Sequence, residues 1–454
     1  SDAGQAITTT SNNTVVGSQA YIEGTASENT IIGSYCGYNL TTGNYNTAIG
    51  YQALYTEDAG TQLIALGRHA LYSNDGGTQN TALGYSALYA NTSGDSNTAA
   101  GYFALGGNTT GDNNTAFGRD SLYSNTTGGN NTAVGHYALR SNTTSSENVA
   151  IGSRAMDACT TGAENTAVGT DALGALTTGD RNVAVGRQAL YAITTGEKNT
   201  GVGFEALEAC TTADENTAMG YRTLKAITTG FNNSCFGKEA AQNATTAAGN
   251  ASCGHNTLND LTTGGSNSAL GNTALGEVTT GSNNFAIGND AGRSNSPGGA
   301  IITSDNQGVL GNNNITYIGA KVSLSVTSDK RDKTDIKDFT HGLSWIKKLR
   351  PVTYHWDQRS DYSDDLSIVP DGTHKKSKLN IGLIAQEELE VEKEHGYGDD
   401  RDSMLITDLS EDGNHFSMKY EKLVPILINA VKELSAKNDT LAAEVEQLKS
   451  QLNN

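Results

Sequence analysis

The sequence predicts a mainly β chain: an elongated parallel β-roll or solenoid of 17-residue coils, followed by a small α+β region and a C-terminal coiled coil. Three observations predict it. A glycine returns every 17 residues from Gly50 to Gly288. Charge changes abruptly near residue 328, with 36 charged residues in the first 327 positions and 43 in the last 127. Apolar residues at heptad spacing close the chain, from Leu427 to Leu452.

The repeat occupies residues 1–292. Gly17 and Gly33 precede the series with one shortened step of 16, and Asn stands four residues before the glycine in every unit but one, where Leu63 replaces it. A representative unit is "NVAVGRQALYAITTGEK", Asn182 to Lys198. Its "NVAV" reads as a short strand, "AL" opens a second apolar segment, and "TTG" closes a turn in which glycine accepts a positive φ. Side chains alternate along a strand, so neighbouring positions face opposite ways. Two residues before the glycine the side chain is small (Ala48, Ala65, Ala82), and one before it is larger and apolar (Ile49, Leu66, Phe117). A narrow coil buries one of these columns; the other calls for a second copy of the chain. One coil per repeat advances about 4.8 Å, so 17 units make a rod of about 80 Å. The Asn column predicts a hydrogen-bonded ladder between coils rather than a ligand site. The Thr-Thr column reads as turn structure before it reads as a template for ordered water.

All four prolines (Pro297, Pro351, Pro370, Pro425) lie outside the repeats, where any one would delete a ladder hydrogen bond. Both tryptophans, Trp345 and Trp356, follow residue 328, which places the conventional globular core there. The first 327 residues carry 12 Lys and Arg against 24 Asp and Glu, and the remainder 18 against 25. This acidity argues against a nucleic-acid partner or an anionic membrane surface. No apolar run is long enough to insert in a bilayer. Five cysteines form neither a zinc spacing nor a paired framework, so buried reduced thiols and a reducing folding compartment are expected, with no metal and no cofactor. The chain opens on Ser1 rather than Met, and an N-terminal anchoring region is expected beyond it.

Residues 293–327 read as an irregular β connector, with "ITYIGAKVSLSV" (Ile315 to Val326) alternating as one or two strands. Four elements then follow: "SDKRDKTDI" from Ser328, "LSWIKKLRPVTYHW" from Leu343, "IGLIAQEEL" from Ile381 and "YEKLVPILINAVKEL" from Tyr420. In the second, Pro351 sets Arg350 extended, so a strand follows a helix; the third is a strand turning into an acidic helix. In the tail, Val431, Asn438, Val445 and Leu452 occupy a, and Leu427, Leu434, Leu441 and Leu448 occupy d. Taken alone, that choice favours two strands.

Two resemblances bear on these segments. The "N-[ST]-x-A-[IV]-G" units resemble the head repeats of trimeric autotransporter adhesins, and similar arrays occur in phage fibres; the 17-residue period is longer than is usual in those heads. The four C-terminal elements, in order, resemble the intramolecular chaperone domain of phage tail spikes and fibres, of the endosialidase type, also found in myelin regulatory factors. The second resemblance implies a domain at 328–419, followed by a helix and coiled coil at 420–454, that drives homotrimerisation and then cuts itself off by a Ser-Lys dyad. Ser328 and Lys333 match the dyad, and the scissile bond would be Thr327–Ser328. Gln386 and Glu387 match characteristic positions and are assigned a structural or supporting role.

The implied chemistry is coherent. A serine hydroxyl needs a base, and a lysine serves as one when burial removes its charge. Either Ser328 Oγ attacks the preceding carbonyl in an acyl shift, or a lysine-activated water does. Asp329, Asp332 and Asp335 read as solvated or capping groups, and His341 and His355 as structural. The function so implied is a virion tail fibre, folded in the host cytoplasm, that binds other tail proteins and a host glycan or protein receptor. The alternatives are a trimeric bacterial surface adhesin and a virion fibre with an uncleaved trimerisation domain. A glycan-cleaving enzyme is disfavoured, because Asp and Glu hold no fixed position in the repeat.

Overall fold

The computed structural model describes residues 3–4, 11–319, 321, 328–359, 362, 367–410 and 413–452. The chain divides into two compact units, Ser1–Ile287 with Asp305–Gln307, and Gly288–Ser304 with Gly308–Asn454.

The first unit is the predicted parallel β-solenoid. Three-residue strands from β1 (Thr14–Val16) to β17 (Phe285–Ile287) stack in register, one per coil. A pair such as Thr166–Val168 and Val183–Val185 aligns residues 17 apart. The middle residue of each strand points inward, so Ala48, Ala65 and Ala82 are fully buried. The third points out: Leu66, Phe117, Ile151 and Leu270 are 40–51% exposed. An apolar column therefore runs along the solenoid uncovered by its own chain.

The second apolar segment of the repeat forms turns rather than a strand. Its Ala and Leu (Ala53 and Leu54, for example) still fill the interior. The backbone closes the coil through left-handed conformations at non-glycine positions, as at Gln188 (φ 57°), Leu190 (φ 52°) and Lys198 (φ 57°). Each such residue costs about 1 kcal/mol or more. Among the described residues in this conformation Val and Ile never occur, and Thr273 is the sole β-branched one, because branching at Cβ aggravates the clash. At the recurring glycine φ lies well outside that region, near +131° for Gly186, where a Cβ would stand 2.5 Å from the Gly203 carbonyl oxygen.

Ladders offset this strain. Asn182 Oδ1 accepts the Asn199 N–H at 3.0 Å, while Asn182 Nδ2 donates to the Gly196 carbonyl at 2.8 Å. The same bonds recur along the column, and Leu63, although buried, can offer Asn80 no such acceptor. The threonine column also bonds from coil to coil: Thr92 Oγ1 donates to Thr109 O at 2.9 Å, and Thr177 Oγ1 to Thr194 O at 2.9 Å. A second Asn run, Asn74 to Asn142, is bonded rung to rung, with buried Glu57 at its head. It gives way to buried Cys159, Leu176, Ile193 and Cys210 in later coils. Four cysteines are buried, and burial pushes the Cys36 and Cys210 thiols up to about 12. Cys253 departs from expectation: it occupies the outward strand position and is exposed.

The second unit contains β18 (Gly308–Leu310), α1 (Leu343–Ile346), β19 (Val352–Tyr354), β20 (Asn380–Gly382), α2 (Ala385–Glu394), β21 (Thr407–Leu409), β22 (Phe416–Met418) and α3 (Leu423–Leu452). Strands β19 and β20 pair antiparallel, as do β21 and β22. Trp345 centres a core with Val391, Ile406 and Ile426. Trp356 is not part of it and is 54% exposed. Among the described residues, 315–319 form no strand; residues 322–327 of that expected strand lie outside the described residues. The first turns of α3 pack on the core through Leu423 and Ile426, and Ala430 is also buried. Its later face, including Leu434, Leu441, Leu448 and Leu452, is exposed. Among the described residues no helix is long and apolar enough to cross a membrane, and no cluster of metal-ligating side chains occurs.

Candidate functional site

The segment from Ser328 is shaped by its own charges. Asp329 accepts the Arg331 N–H at 2.9 Å and caps a 3-10 turn, Lys330–Asp332. Its carboxylate also holds the Arg331 guanidinium, Nη2 to Oδ2 at 2.6 Å, and this pairing keeps the Asp329 carboxyl below its ordinary value. The turn closes with Lys333 N–H donating to Lys330 O at 3.2 Å. One tight turn between residues five apart folds the Lys333 side chain back onto Ser328.

The result is a direct contact. Lys333 Nζ stands 2.5 Å from Ser328 Oγ and 3.4 Å from the Ser328 carbonyl oxygen. A contact of this length is within the reach over which a hydroxyl proton can pass to a neutral amine. Both residues are exposed in the single chain, so any desolvation of the ammonium must come from a surface that covers them. Thr327, the other side of the expected scissile bond, lies outside the described residues.

Gln386 and Glu387 lie elsewhere, in the first turn of α2. Glu387 is held by Arg350, whose Nε donates to Oε2 at 3.0 Å and whose Nη2 reaches Oε1. The Arg350 guanidinium keeps the Glu387 carboxyl below its usual range. Among the described residues no hydrogen bond or ion pair joins Gln386 or Glu387 to Ser328 or Lys333. His341 packs against Trp345 and His395, and His355 Nδ1 lies 3.0 Å from the Lys376 carbonyl oxygen.

Two buried carboxyls on α2 escaped the sequence reading. Glu392 accepts the N–H groups of Leu405, Ile406 and Thr407 at 2.6–2.9 Å and so anchors the approach to β21. Glu388 receives the Trp345 indole N–H at 2.8 Å, and its other oxygen is buried with no hydrogen-bond partner among the described residues. Burial raises the Glu388 carboxyl to about 7; the Trp345 bond opposes that rise, and the nearby Glu392 charge adds to it. In "AQEELEVEKE" all five glutamates look solvated, and only the i, i+4 spacing of Glu388 and Glu392 beside Leu389 and Val391 hints that two share the inward face.

Residues 328–397 match a peptidase-family model described as chaperone of endosialidase. The match begins at Ser328 and includes Lys333, Gln386, Glu387, Glu388 and Glu392. Neither the curated proteins nor the solved structures contain a match to the chain. A self-cleaving type of chaperone domain placed after a β-solenoid fits a trimeric, fibre-like protein.

Proposed function

We propose that the chain is a homotrimeric virion tail fibre for host attachment, whose C-terminal region aligns three chains and then releases itself by cleaving Thr327–Ser328. The observation that carries the cleavage is the Lys333 Nζ contact with Ser328 Oγ at the first residue of the matched segment. Lys333 takes the proton from the nucleophile and returns it to the departing Ser328 amine: either Ser328 Oγ attacks the Thr327 carbonyl, the amide C–N bond breaks and water then hydrolyses the resulting ester, or a water attacks the carbonyl and breaks the C–N bond directly. Glu387 supports the fold of the domain through its Arg350 pair, and Gln386 beside it is assigned a supporting role. Synthesis and cleavage take place in the host cytoplasm, and other tail proteins bind the mature product.

Two uncovered apolar surfaces support the trimer. One is the outward strand column of the solenoid; the other is the heptad seam of α3. Like columns meeting around a three-fold axis bury both, and the adhesin-like repeats suit the same symmetry. Aligning the chains through α3 lowers the entropic barrier to long-range β association. Ser328 and Lys333 are exposed in one chain, so cleavage follows assembly, when a neighbouring chain covers them.

The test is expression of the full chain, followed by denaturing electrophoresis and mass spectrometry. Fragments meeting between residues 327 and 328, lost in Ser328→Ala and in Lys333→Ala while both variants remain trimeric, are the expected result. An intact wild-type trimer removes the protease and leaves an uncleaved trimerisation domain.

A further inference from the structure

One column of the solenoid departs from the acidic character of the chain. The residue directly after the recurring glycine is never Asp or Glu in any of the 17 coils, although acidic residues outnumber basic ones two to one in that part of the chain. Over six consecutive coils it reads Tyr51, Arg68, Tyr85, Tyr102, Arg119, His136. All six are exposed. The same chemistry returns at Arg187, Phe204, Tyr221 and Lys238.

The side chains are organised by one another. The Arg68 guanidinium carbon lies 5.5 Å from the Tyr51 ring centre and 5.8 Å from that of Tyr85. Arg119 lies 5.7 Å from Tyr102. Tyr85 and Tyr102 stack at 5.2 Å and 14°. Beside them a tyrosine ladder, Tyr38, Tyr55, Tyr72 and Tyr89, stacks at 5.1–5.3 Å within 12° of parallel. Twelve of the 19 tyrosines precede residue 141. Planar cations held by rings keep their N–H edges available. Arg119 uses one on Asp120, Nε to Oδ2 at 3.1 Å. For Arg68 and Arg187 no carboxylate lies within ion-pair distance among the described residues.

Such a surface fits a linear acidic polysaccharide. The rings offer apolar faces and hydroxyl edges to sugars, and the guanidinium forks match carboxylate or sulfate groups. A column that advances about 4.8 Å per coil repeats at close to the step of one sugar residue in an extended chain, and six coils span about 24 Å. The column is also a poor centre for the trimer. At a three-fold axis each cation meets two copies of itself, whereas the all-apolar strand column meets like with like.

We propose that the Tyr51–His136 column binds an acidic polysaccharide lying along the solenoid. The proposal rests on the attachment reading and names the ligand class and site that reading lacks. The test uses the purified full-length protein against polygalacturonate and dextran sulfate, with neutral dextran and single-stranded oligothymidylate as comparisons. Expected are salt-sensitive binding to the acidic glycans and affinity at least about tenfold lower for dextran and oligothymidylate. Arg68→Gln with Arg119→Gln, and separately Tyr85→Ala with Tyr102→Ala, should each weaken binding about tenfold or more. Arg181→Gln, outside the column, should not. Sedimentation checks that the column variants keep the wild-type oligomeric state. Absence of acidic-glycan binding, equal binding to dextran or oligothymidylate, or column variants that dissociate the oligomer overturns the proposal. Cleavage at residue 327 with no glycan binding rejects this site while the fibre reading stands.

Discussion

Replacing Asn182 by Ala tests whether the asparagine ladder holds the coils together. Asn182 is fully buried. Its Oδ1 serves the Asn199 N–H at 3.0 Å and Asn199 Nδ2 at 3.1 Å, and its Nδ2 serves the Gly196 carbonyl at 2.8 Å. Truncation strands the Asn199 N–H and the Gly196 carbonyl in the interior. At about 1–3 kcal/mol for each buried unsatisfied group, the loss is about 4 kcal/mol, before any cost for the cavity. Asn182→Leu separates the two effects, since Leu63 already occupies this register position and is fully buried there. It should lose the bonds but fill the space, and so cost less than Ala. The assay is hydrogen exchange followed by mass spectrometry on the intact protein, because a solenoid opens locally and a single global midpoint averages over coils. Protection of the Asn199 amide should fall by a factor of 10² or more, about 3 kcal/mol, in the Ala variant. If exchange at Asn199 and in the flanking coils is unchanged in both variants, the ladder contributes nothing and the account of the solenoid is wrong.

Other outcomes follow from single sites. Gly186→Ala brings a Cβ to 2.5 Å from the Gly203 carbonyl oxygen at φ +131°, and should destabilise by about 3 kcal/mol or more, whereas Gly76→Ala, with nothing within 4 Å, should cost about 1 kcal/mol; denaturant unfolding of the two variants side by side checks this. Glu388 gives the second unit a pH dependence. Its folded-state value is raised from 4.5 to about 7, so the folded form holds a proton that the unfolded form releases. The stability it contributes is complete below about pH 4.5 and is lost as pH rises to about 7, at most about 3 kcal/mol. Thermal unfolding of Glu388→Gln should therefore show a flatter profile than wild type between pH 4.5 and 7; parallel profiles would rule out titration of Glu388.

The candidate dyad was legible as a motif, and its geometry follows from local chemistry. Asp329 before a short charged run caps a tight turn, and a tight turn is enough to bring Lys333 to Ser328. Gln386 and Glu387 are legible as positions, but the Glu387 contact is not, because its partner Arg350 lies 37 residues away in sequence. The sequence marks Glu388 and Glu392 only as members of an acidic helix, since composition cannot tell which glutamates of one helix turn inward.

By itself the sequence determined the period, the parallel stacking, the two opposed apolar columns and the Asn ladder, and the structure decided that the Ala column is the inward one. A strict repeat makes every residue its own neighbour's neighbour, so local pattern and tertiary contact coincide. It also signalled the architectural change near residue 328 and the seam of the final helix. The tertiary structure decided what a one-dimensional pattern cannot carry. It showed that the second apolar segment closes the coil through left-handed turns, because only a three-residue strand fits a coil this narrow. It left Cys253 and Trp356 outside their cores, and buried two carboxyls against Trp345 and the approach to β21. In each case the deciding contact joins residues whose spacing the repeat does not set, or depends on the path of the backbone between them.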